Sequence, residues 1–303
     1  MEQPEPILTT EPSPSQPLSP MTVRHDGPRP PMGLGLYLGI GTAIFYALIW
    51  LDRLVPDRGA SALWIQLVTH LVLVTASLGS AVLMSRIEKR PFASYGLPLG
   101  RVLGKNFWVG VYWGLVALSA LMLAMHAVGV LSFGRLALHG IRIYKFASFW
   151  GLFFLLVGVF EEFTFRGYAL HHMTRAIGFW PAALALSAVF GALHLVNPGE
   201  AWVGALAAAV IGLFFCFTVR RTGNLWFAVG MHAAWDWGES YLFSVPDSGG
   251  VATGHLVNTF VHGPRWLTGG SVGPEGSILV FVIVGLVWLV FNLFYPKSQH
   301  EPN

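Results

Sequence analysis

Apolar residues run along this chain in eight long stretches, and polar residues gather between them or interrupt them at a few places. The stretches lie near residues 33–51, 63–85, 107–130, 147–170, 180–196, 201–219, 224–243 and 277–295. A helix of about 20 mostly apolar residues is long enough to cross a bilayer. The pattern therefore predicts an all-α fold, a polytopic membrane helical bundle of about eight transmembrane helices.

The composition points to the same environment. Of the 303 residues, 54% are hydrophobic and 11% are charged, whereas a soluble domain carries about 25% charged residues. No basic face or nucleic-acid-binding motif is present, so we expect no nucleic-acid partner. The single cysteine, Cys216, excludes an intramolecular disulfide and a Cys-rich metal site.

The basic residues predict an orientation. With the N-terminus inside, eleven of the 18 Lys and Arg residues fall in cytoplasmic segments and six in outer segments. The positive-inside rule then places both termini in the cytoplasm. Residues 1–31 are rich in proline and poor in apolar residues, which is typical of a disordered tail.

Charged and histidine side chains interrupt the fourth, fifth and seventh stretches. They are Glu161, Glu162 and Arg166 in the fourth, His194 in the fifth, and His232 and Asp236 in the seventh. A charged side chain at the centre of a lipid-facing helix costs about 3 kcal/mol. We therefore expect these groups to face one another inside the bundle, where an ionisable cluster indicates a functional site.

Spacing divides these residues into pairs. Residues four apart lie on one face of a helix, so Glu162 is expected to pair with Arg166, and His232 to share a face with Asp236. Glu161 points about 100° away from Glu162, which leaves it free for chemistry. Three further acids, Glu200, Glu239 and Glu275, are interpreted as structural, although Glu239 lies one helical turn from Asp236.

Glu161, His194 and His232 suggest a hydrolytic chemistry. A carboxylate in a partly dry site works as a general base near neutral pH, and an imidazole beside it orients the same water. Alternatively, two histidines and one carboxylate can bind a catalytic Zn²⁺ and leave a position open for water. A second histidine paired with Asp236 stabilises an oxyanion. Amide hydrolysis needs all of these parts. Counting residues along the helices from their predicted ends favours a site that opens toward the cytoplasm.

The three motifs resemble a known family of membrane proteases. Glu161-Glu162…Arg166, Phe190…His194 and His232…Asp236 are similar to the EExxxR, FxxxH and HxxxN or HxxxD pattern of the CAAX protease and bacteriocin-processing family. This family, also called Abi, includes the type II CAAX prenyl endopeptidases. The resemblance covers roughly residues 147–280 and implies a membrane-embedded endopeptidase of the bacterial cytoplasmic membrane that acts on protein or peptide substrates.

The resemblance also implies a role for each motif. Glu161 and His194 activate water, the pair of His232 and Asp236 serves the oxyanion side, and Glu162 with Arg166 supports them. The third motif ends in Asp where the prenyl endopeptidases have Asn, and an ionised carboxylate cannot donate a hydrogen bond. Asp236 is therefore expected to orient His232 or a metal. Both a metalloprotease and a metal-free glutamate mechanism are argued for the family, so Zn²⁺ on Glu161, His194 and His232 stays open.

These inferences divide the chain and leave two alternatives. We predict a cytoplasmic tail at 1–31, transmembrane helices 1–3 within 32–145, the catalytic membrane domain at 146–296 and a C-terminal tail at 297–303. One alternative is a non-catalytic immunity or scaffold protein on the same fold, which the complete polar set disfavours. The other is a proton-coupled transporter in which the acids and histidines form a relay, which the lack of an internal repeat disfavours.

Overall fold

The structure, a computed structural model, describes residues 30–53, 62–197 and 199–296. Its longer helices are α1 (Pro30–Arg53), α2 (Ala62–Ile87), α3 (Lys105–Ala127), α4 (Ile141–Glu162), α5 (Leu170–Ile177), α6 (Phe179–His194), α7 (Trp202–Thr222), α8 (Trp226–Trp237) and α10 (Leu279–Phe294), with a short α9 (Arg265–Thr268). Short 3₁₀ turns lie at Phe92–Tyr95, Leu99–Arg101 and Pro274–Gly276. The predicted tails lie outside the described residues, except that α1 already begins at Pro30.

Among the residues that the structure describes, five helical stretches are long and apolar enough to cross a membrane. They are Pro30–Leu51, Ala62–Ile87, Lys105–Ala127, Ile141–Ile177 and Trp202–Thr222. Helices α6 and α10 are apolar but shorter. Each of the eight predicted stretches therefore contains a helix and the chain is nearly all-α, while the count of eight membrane crossings and the orientation of the termini stay predictions.

A two-stranded antiparallel sheet is the part of the fold that the apolar pattern does not predict. Strand β1 (Leu131–Leu136) pairs with β2 (Val257–Val261), with Leu131 opposite Val261. Both segments lie between predicted apolar stretches, where connections between helices are expected. The pairing brings the segment after α3 and the segment after α8 to the same end of the bundle.

Glycine residues bring α3 and α8 into close contact. A Cβ at Gly110 or Gly114 of α3 would lie 2.1 Å and 2.4 Å from the carbonyl oxygens of Phe227 and Met231 in α8. In the other direction, a Cβ at Gly230 of α8 would lie 2.2 Å from the Phe107 carbonyl oxygen. Small residues let helix backbones approach closely within a membrane. The helix that carries His232 is thus held by a helix from the N-terminal half of the chain.

The fourth helical stretch is interrupted by a π-helical turn. Helix α4 passes directly into the turn Phe163–Ala169 and then into α5, which ends at Ile177. A second π-helical turn, Gly238–Phe243, follows α8. Such wide turns occur frequently at functional sites. Here one begins directly after Glu162 and the other two residues after Asp236.

Candidate active site

All three sequence motifs line one cavity inside the bundle. The cavity has a volume of about 770 Å³, and its walls include Glu161, Phe190, His194, His232 and Asp236. It extends to residues 247–252, in the segment between α8 and β2. The side of the membrane on which the cavity opens, expected from residue counting to be the cytoplasmic one, stays a prediction. The helical stretch that carries Glu161 runs from Ile141 to Ile177 and places this residue near its middle.

A chain of buried polar contacts joins α4 to α8. Arg166 Nη1 donates to Glu162 Oε1 at 3.2 Å, and the same oxygen lies 2.8 Å from His232 Nδ1. Both Arg166 and Glu162 have fully buried side chains. Because a carboxylate oxygen accepts, His232 Nδ1 is the donor. The pairing predicted from the spacing of Glu162 and Arg166 is present, and it also fixes the His232 ring.

The other nitrogen of His232 faces the cavity. His232 Nε2 lies 3.4 Å from Asp236 Oδ2 and 3.8 Å from Glu161 Oε2. The Glu161 side chain is 28% exposed, whereas that of Glu162 is fully buried. The two adjacent glutamates are therefore in different environments, and Glu161 is the one that meets the cavity.

His194 reaches the cavity from α6. Its Nδ1 lies 2.8 Å from the Phe190 carbonyl oxygen, so Nδ1 donates and Nε2 is left as an acceptor. The centroids of the Phe190 ring and the His194 imidazole lie 4.6 Å apart. The Arg166 guanidinium lies 4.0 Å from the centroid of the same Phe190 ring. In the part of the chain that the structure describes, no hydrogen bond or ion pair joins His194 to Glu161.

Gly212 of α7 makes room for Arg166. A Cβ at this position would lie 2.2 Å from Arg166 Nη2. The guanidinium therefore fits between the Phe190 ring and the α7 backbone only because position 212 has no side chain. Sequence motifs alone do not single out this residue.

The residues predicted as zinc ligands do not form a ligand cluster in this arrangement. Two ligands of a tetrahedral Zn²⁺ with bonds of about 2.0–2.1 Å lie roughly 3.4 Å apart. Glu161 and His232 come near this separation at 3.8 Å, but the ligand atoms of Glu161, His194 and His232 do not all fall within 4.8 Å of one another. The described arrangement does not fit zinc, so we derive no reaction step through it.

A group of acidic residues beside Asp236 is the part of the site that sequence reasoning missed. Oxygen atoms of Asp236, Asp247 and Glu275 all lie within 4.8 Å of one another, and Glu239 follows Asp236 by three residues. We call Asp236, Glu239, Asp247 and Glu275 the acidic cluster. Burial raises the pKa of the Asp247 carboxyl well above its usual range, and the charges of Asp236 and Glu275 raise it further.

A comparison with protein families agrees with this geometry. Residues 142–238 match the family described as type II CAAX prenyl endopeptidase Rce1-like. This segment begins in α4, ends just after α8 and contains all six predicted site residues. No curated protein and no solved structure matches the chain. The segment from 142 to 238 therefore matches an Rce1-like domain, and this match supports the resemblance of the segment to the CAAX protease and bacteriocin-processing family.

Proposed function

We propose that this chain is an intramembrane endopeptidase that hydrolyses peptide bonds of membrane-associated proteins or peptides. One observation supports the proposal most strongly. The buried contact from Arg166 through Glu162 to His232 ends in the same cavity as Glu161 and His194. An arrangement in which a buried carboxylate orients an imidazole toward a cavity is a recurring feature of hydrolytic sites.

Glu161 is the proposed general base. A water molecule between Glu161 and His194 attacks the carbonyl carbon of the scissile peptide, and its proton passes to the Glu161 carboxylate. His194 Nε2 is the acceptor that orients this water, because Nδ1 is engaged by the Phe190 carbonyl. Glu161 then transfers the proton to the leaving nitrogen as the C–N bond breaks.

His232 is the proposed oxyanion donor. With Nδ1 donating to Glu162, His232 has a second N–H only as the imidazolium, and the Nε2 proton then lies between carboxylate oxygens of Asp236 and Glu161. That N–H can donate to the oxygen on which negative charge develops in the transition state. Asp236 acts through His232 as a positioning residue, which is consistent with Asp at a place where the prenyl endopeptidases have Asn.

The walls of the cavity suit a membrane-associated peptide. Trp150, Phe153 and Phe154 of α4 line it on one side, and carboxylates line the end near residues 247–252. An extended peptide can place its apolar side chains against these rings while its backbone meets Glu161. We therefore propose the lipid bilayer and a protein or peptide substrate as the partners of this chain.

A comparison of membrane proteomes tests this function. Cells that produce wild-type protein are expected to contain cleaved termini of at least one membrane-associated protein, and cells that produce Glu161→Ala are expected to accumulate that protein uncleaved. The measurement is mass spectrometry of protein termini at equal levels of both variants. Identical termini in the two strains would contradict the proposal and favour a non-catalytic protein or a transporter on this fold.

A second experiment tests the role of zinc. Because the arrangement does not fit zinc, we expect cleavage to continue in 1,10-phenanthroline and in protein that elemental analysis shows to be nearly zinc-free. Such chelators bind transition metals through nitrogen and leave oxygen-bound Ca²⁺ or Mg²⁺ largely in place. Loss of activity with the chelator, restored by added zinc and accompanied by loss of bound zinc in His194→Ala, would instead support the metalloprotease mechanism.

A further inference from the structure

The acidic cluster joins three separate segments of the chain. Asp236 belongs to α8, Asp247 to the segment before β2, and Glu275 to the 3₁₀ turn before α10. Each offers a carboxylate oxygen, and the three oxygens lie within 4.8 Å of one another. Like charges at this separation repel strongly away from water, so the fold brings together groups that on their own would push these segments apart.

Local hydrogen bonds hold the cluster but do not neutralise it. Ser248 donates to Glu275 Oε2 through its backbone N and its Oγ, at 3.2 Å and 2.9 Å. Ser240 Oγ donates to Asp247 Oδ2 at 3.4 Å. These donors are neutral groups, and they orient the carboxylates without supplying positive charge.

Glu239 is the independent indication that a cation binds here. Its side chain is fully buried, and neither carboxylate oxygen accepts a hydrogen bond of good geometry from the described residues. The indole of Trp235 is the donor nearby, and the charges that act most strongly on Glu239 are those of Glu275, Asp247 and Asp236. A buried carboxylate without a donor or counter-charge is costly. Glu239 is thus a buried acid without a partner among the described residues, and a cation bound at the acidic cluster would compensate it.

The protein itself supplies little positive charge to this region. His232 is the basic side chain that acts most strongly on Asp236 and Asp247. It is already in contact with Glu162 on one nitrogen and with Asp236 and Glu161 on the other. One imidazolium cannot balance the acidic cluster as well as these two glutamates.

We propose that the acidic cluster binds one hard divalent cation, with Asp236, Asp247 and Glu275 as ligands and Glu239 behind them as a buried counter-charge. Carboxylate oxygens are the ligands that Ca²⁺ and Mg²⁺ prefer. Ca²⁺ takes six to eight oxygen ligands in flexible geometry, whereas Mg²⁺ keeps several waters in a near-ideal octahedron. Carboxylates brought together from three separate segments suit the more flexible coordination of Ca²⁺ better than the near-ideal octahedron of Mg²⁺, so Ca²⁺ is the expected ion.

A cation at this site would also affect the cavity, because Asp236 belongs to both. Asp236 contacts His232 Nε2 and also contributes an oxygen to the proposed cation site. A bound cation would tie α8 to the residue 247 segment and to the turn before α10, and so hold Asp236 in place beside His232. This cation site does not depend on whether the cavity hydrolyses peptides.

Calorimetric titration of the purified full-length protein in detergent tests the proposal. After removal of calcium with EGTA, wild-type protein is expected to bind one Ca²⁺ per chain, and more tightly than Mg²⁺ in a parallel titration. Glu239→Gln and Asp247→Asn are expected to weaken Ca²⁺ binding by about 10–100-fold. Glu200→Gln is the matched control, because Glu200 lines the same cavity but is not part of the cluster, and it is expected to bind Ca²⁺ as wild type does.

Thermal unfolding provides a second readout for variants whose binding is altered. In EGTA, Glu239→Gln is expected to unfold at a higher temperature than wild type, because one buried repelling charge is gone. Added Ca²⁺ is expected to stabilise wild type and to have little effect on the variant. Absence of Ca²⁺ binding by wild type, or unchanged binding by Asp247→Asn, would overturn the proposal. So would calcium-independent binding of a lysine-containing peptide that Asp247→Asn abolishes, because the cluster would then be a site for a substrate ammonium group.

Discussion

Replacement of Glu161 by Gln is expected to abolish peptide cleavage while the yield of folded protein stays close to that of wild type. Gln has the shape of Glu but cannot take up the proton of the attacking water, and loss of a general base typically costs about 10²–10⁴-fold in rate. The folded state should tolerate the change because Glu161 is partly exposed to the cavity, and its one ion pair among the described residues is with His232 Nε2, at 3.8 Å. The measurement is the cleavage rate of a substrate identified by the proteome comparison, in vesicles that contain equal amounts of each variant.

The control for this variant lies in the same cavity. Glu200→Gln removes another carboxylate from the cavity wall and is expected to retain most of the activity, which separates the general base from a loss of cavity charge. Size-exclusion chromatography in detergent reports the folded yield of both variants. Cleavage by Glu161→Gln within tenfold of wild type, or misfolding as severe as that of a core variant, would remove Glu161 from the role of base.

The positions of the helices could be predicted because a membrane restricts the chain to few solutions. A buried backbone in lipid must satisfy its hydrogen bonds internally, so a long apolar stretch has little alternative to a helix. Each predicted stretch contains one. The ends were less certain, since the fourth stretch continues through a π-helical turn to Ile177. Nothing in the local sequence distinguishes that turn from an ordinary helical turn.

Contacts within one helix could also be predicted, whereas contacts between segments could not. The pairs of Glu162 with Arg166 and of His232 with Asp236 follow from helical periodicity, and both are present. The 2.8 Å contact between Glu162 and His232 depends on how α4 lies against α8, and spacing along the chain carries no information about that. Glu162 therefore contacts and orients His232 as well as pairing with Arg166. Sequence spacing predicted only the pairing.

The strand pair and the acidic cluster were missed for a related reason. Strand β1 contains Gly134 and pairs with residues more than a hundred positions away, so no local hairpin signal exists. Asp247 and Glu275 lie in polar connecting segments where acidic residues usually face solvent. The spacing of Asp236 and Glu239 is the one feature of the sequence that points to the acidic cluster, because residues three apart share a face of a helix.

Replacement of Arg166 by Ala is expected to destabilise the protein strongly, in contrast to Glu161→Gln. Arg166 and Glu162 are both fully buried, and the guanidinium also lies 4.0 Å from the centroid of the Phe190 ring. Removal of one partner of a buried ion pair leaves an uncompensated charge and costs roughly 3–5 kcal/mol. Since a native protein is stable by only about 5–15 kcal/mol, we expect a clear fall in the unfolding temperature and in the yield of folded protein.

The double variant Glu162→Gln/Arg166→Met separates the loss of the ion pair from a loss of packing. It removes both charges at similar volume, and replacing a buried ion pair by well-packed uncharged groups is often nearly neutral. We therefore expect its unfolding temperature to recover most of the loss seen in Arg166→Ala, as measured by thermal unfolding in detergent. Cleavage should stay low in the double variant, because a neutral amide at 162 holds His232 Nδ1 less firmly than the carboxylate does. If Arg166→Ala were as stable as wild type, another group would compensate the Glu162 charge. The buried contacts from Arg166 through Glu162 to His232 would then not be needed for stability.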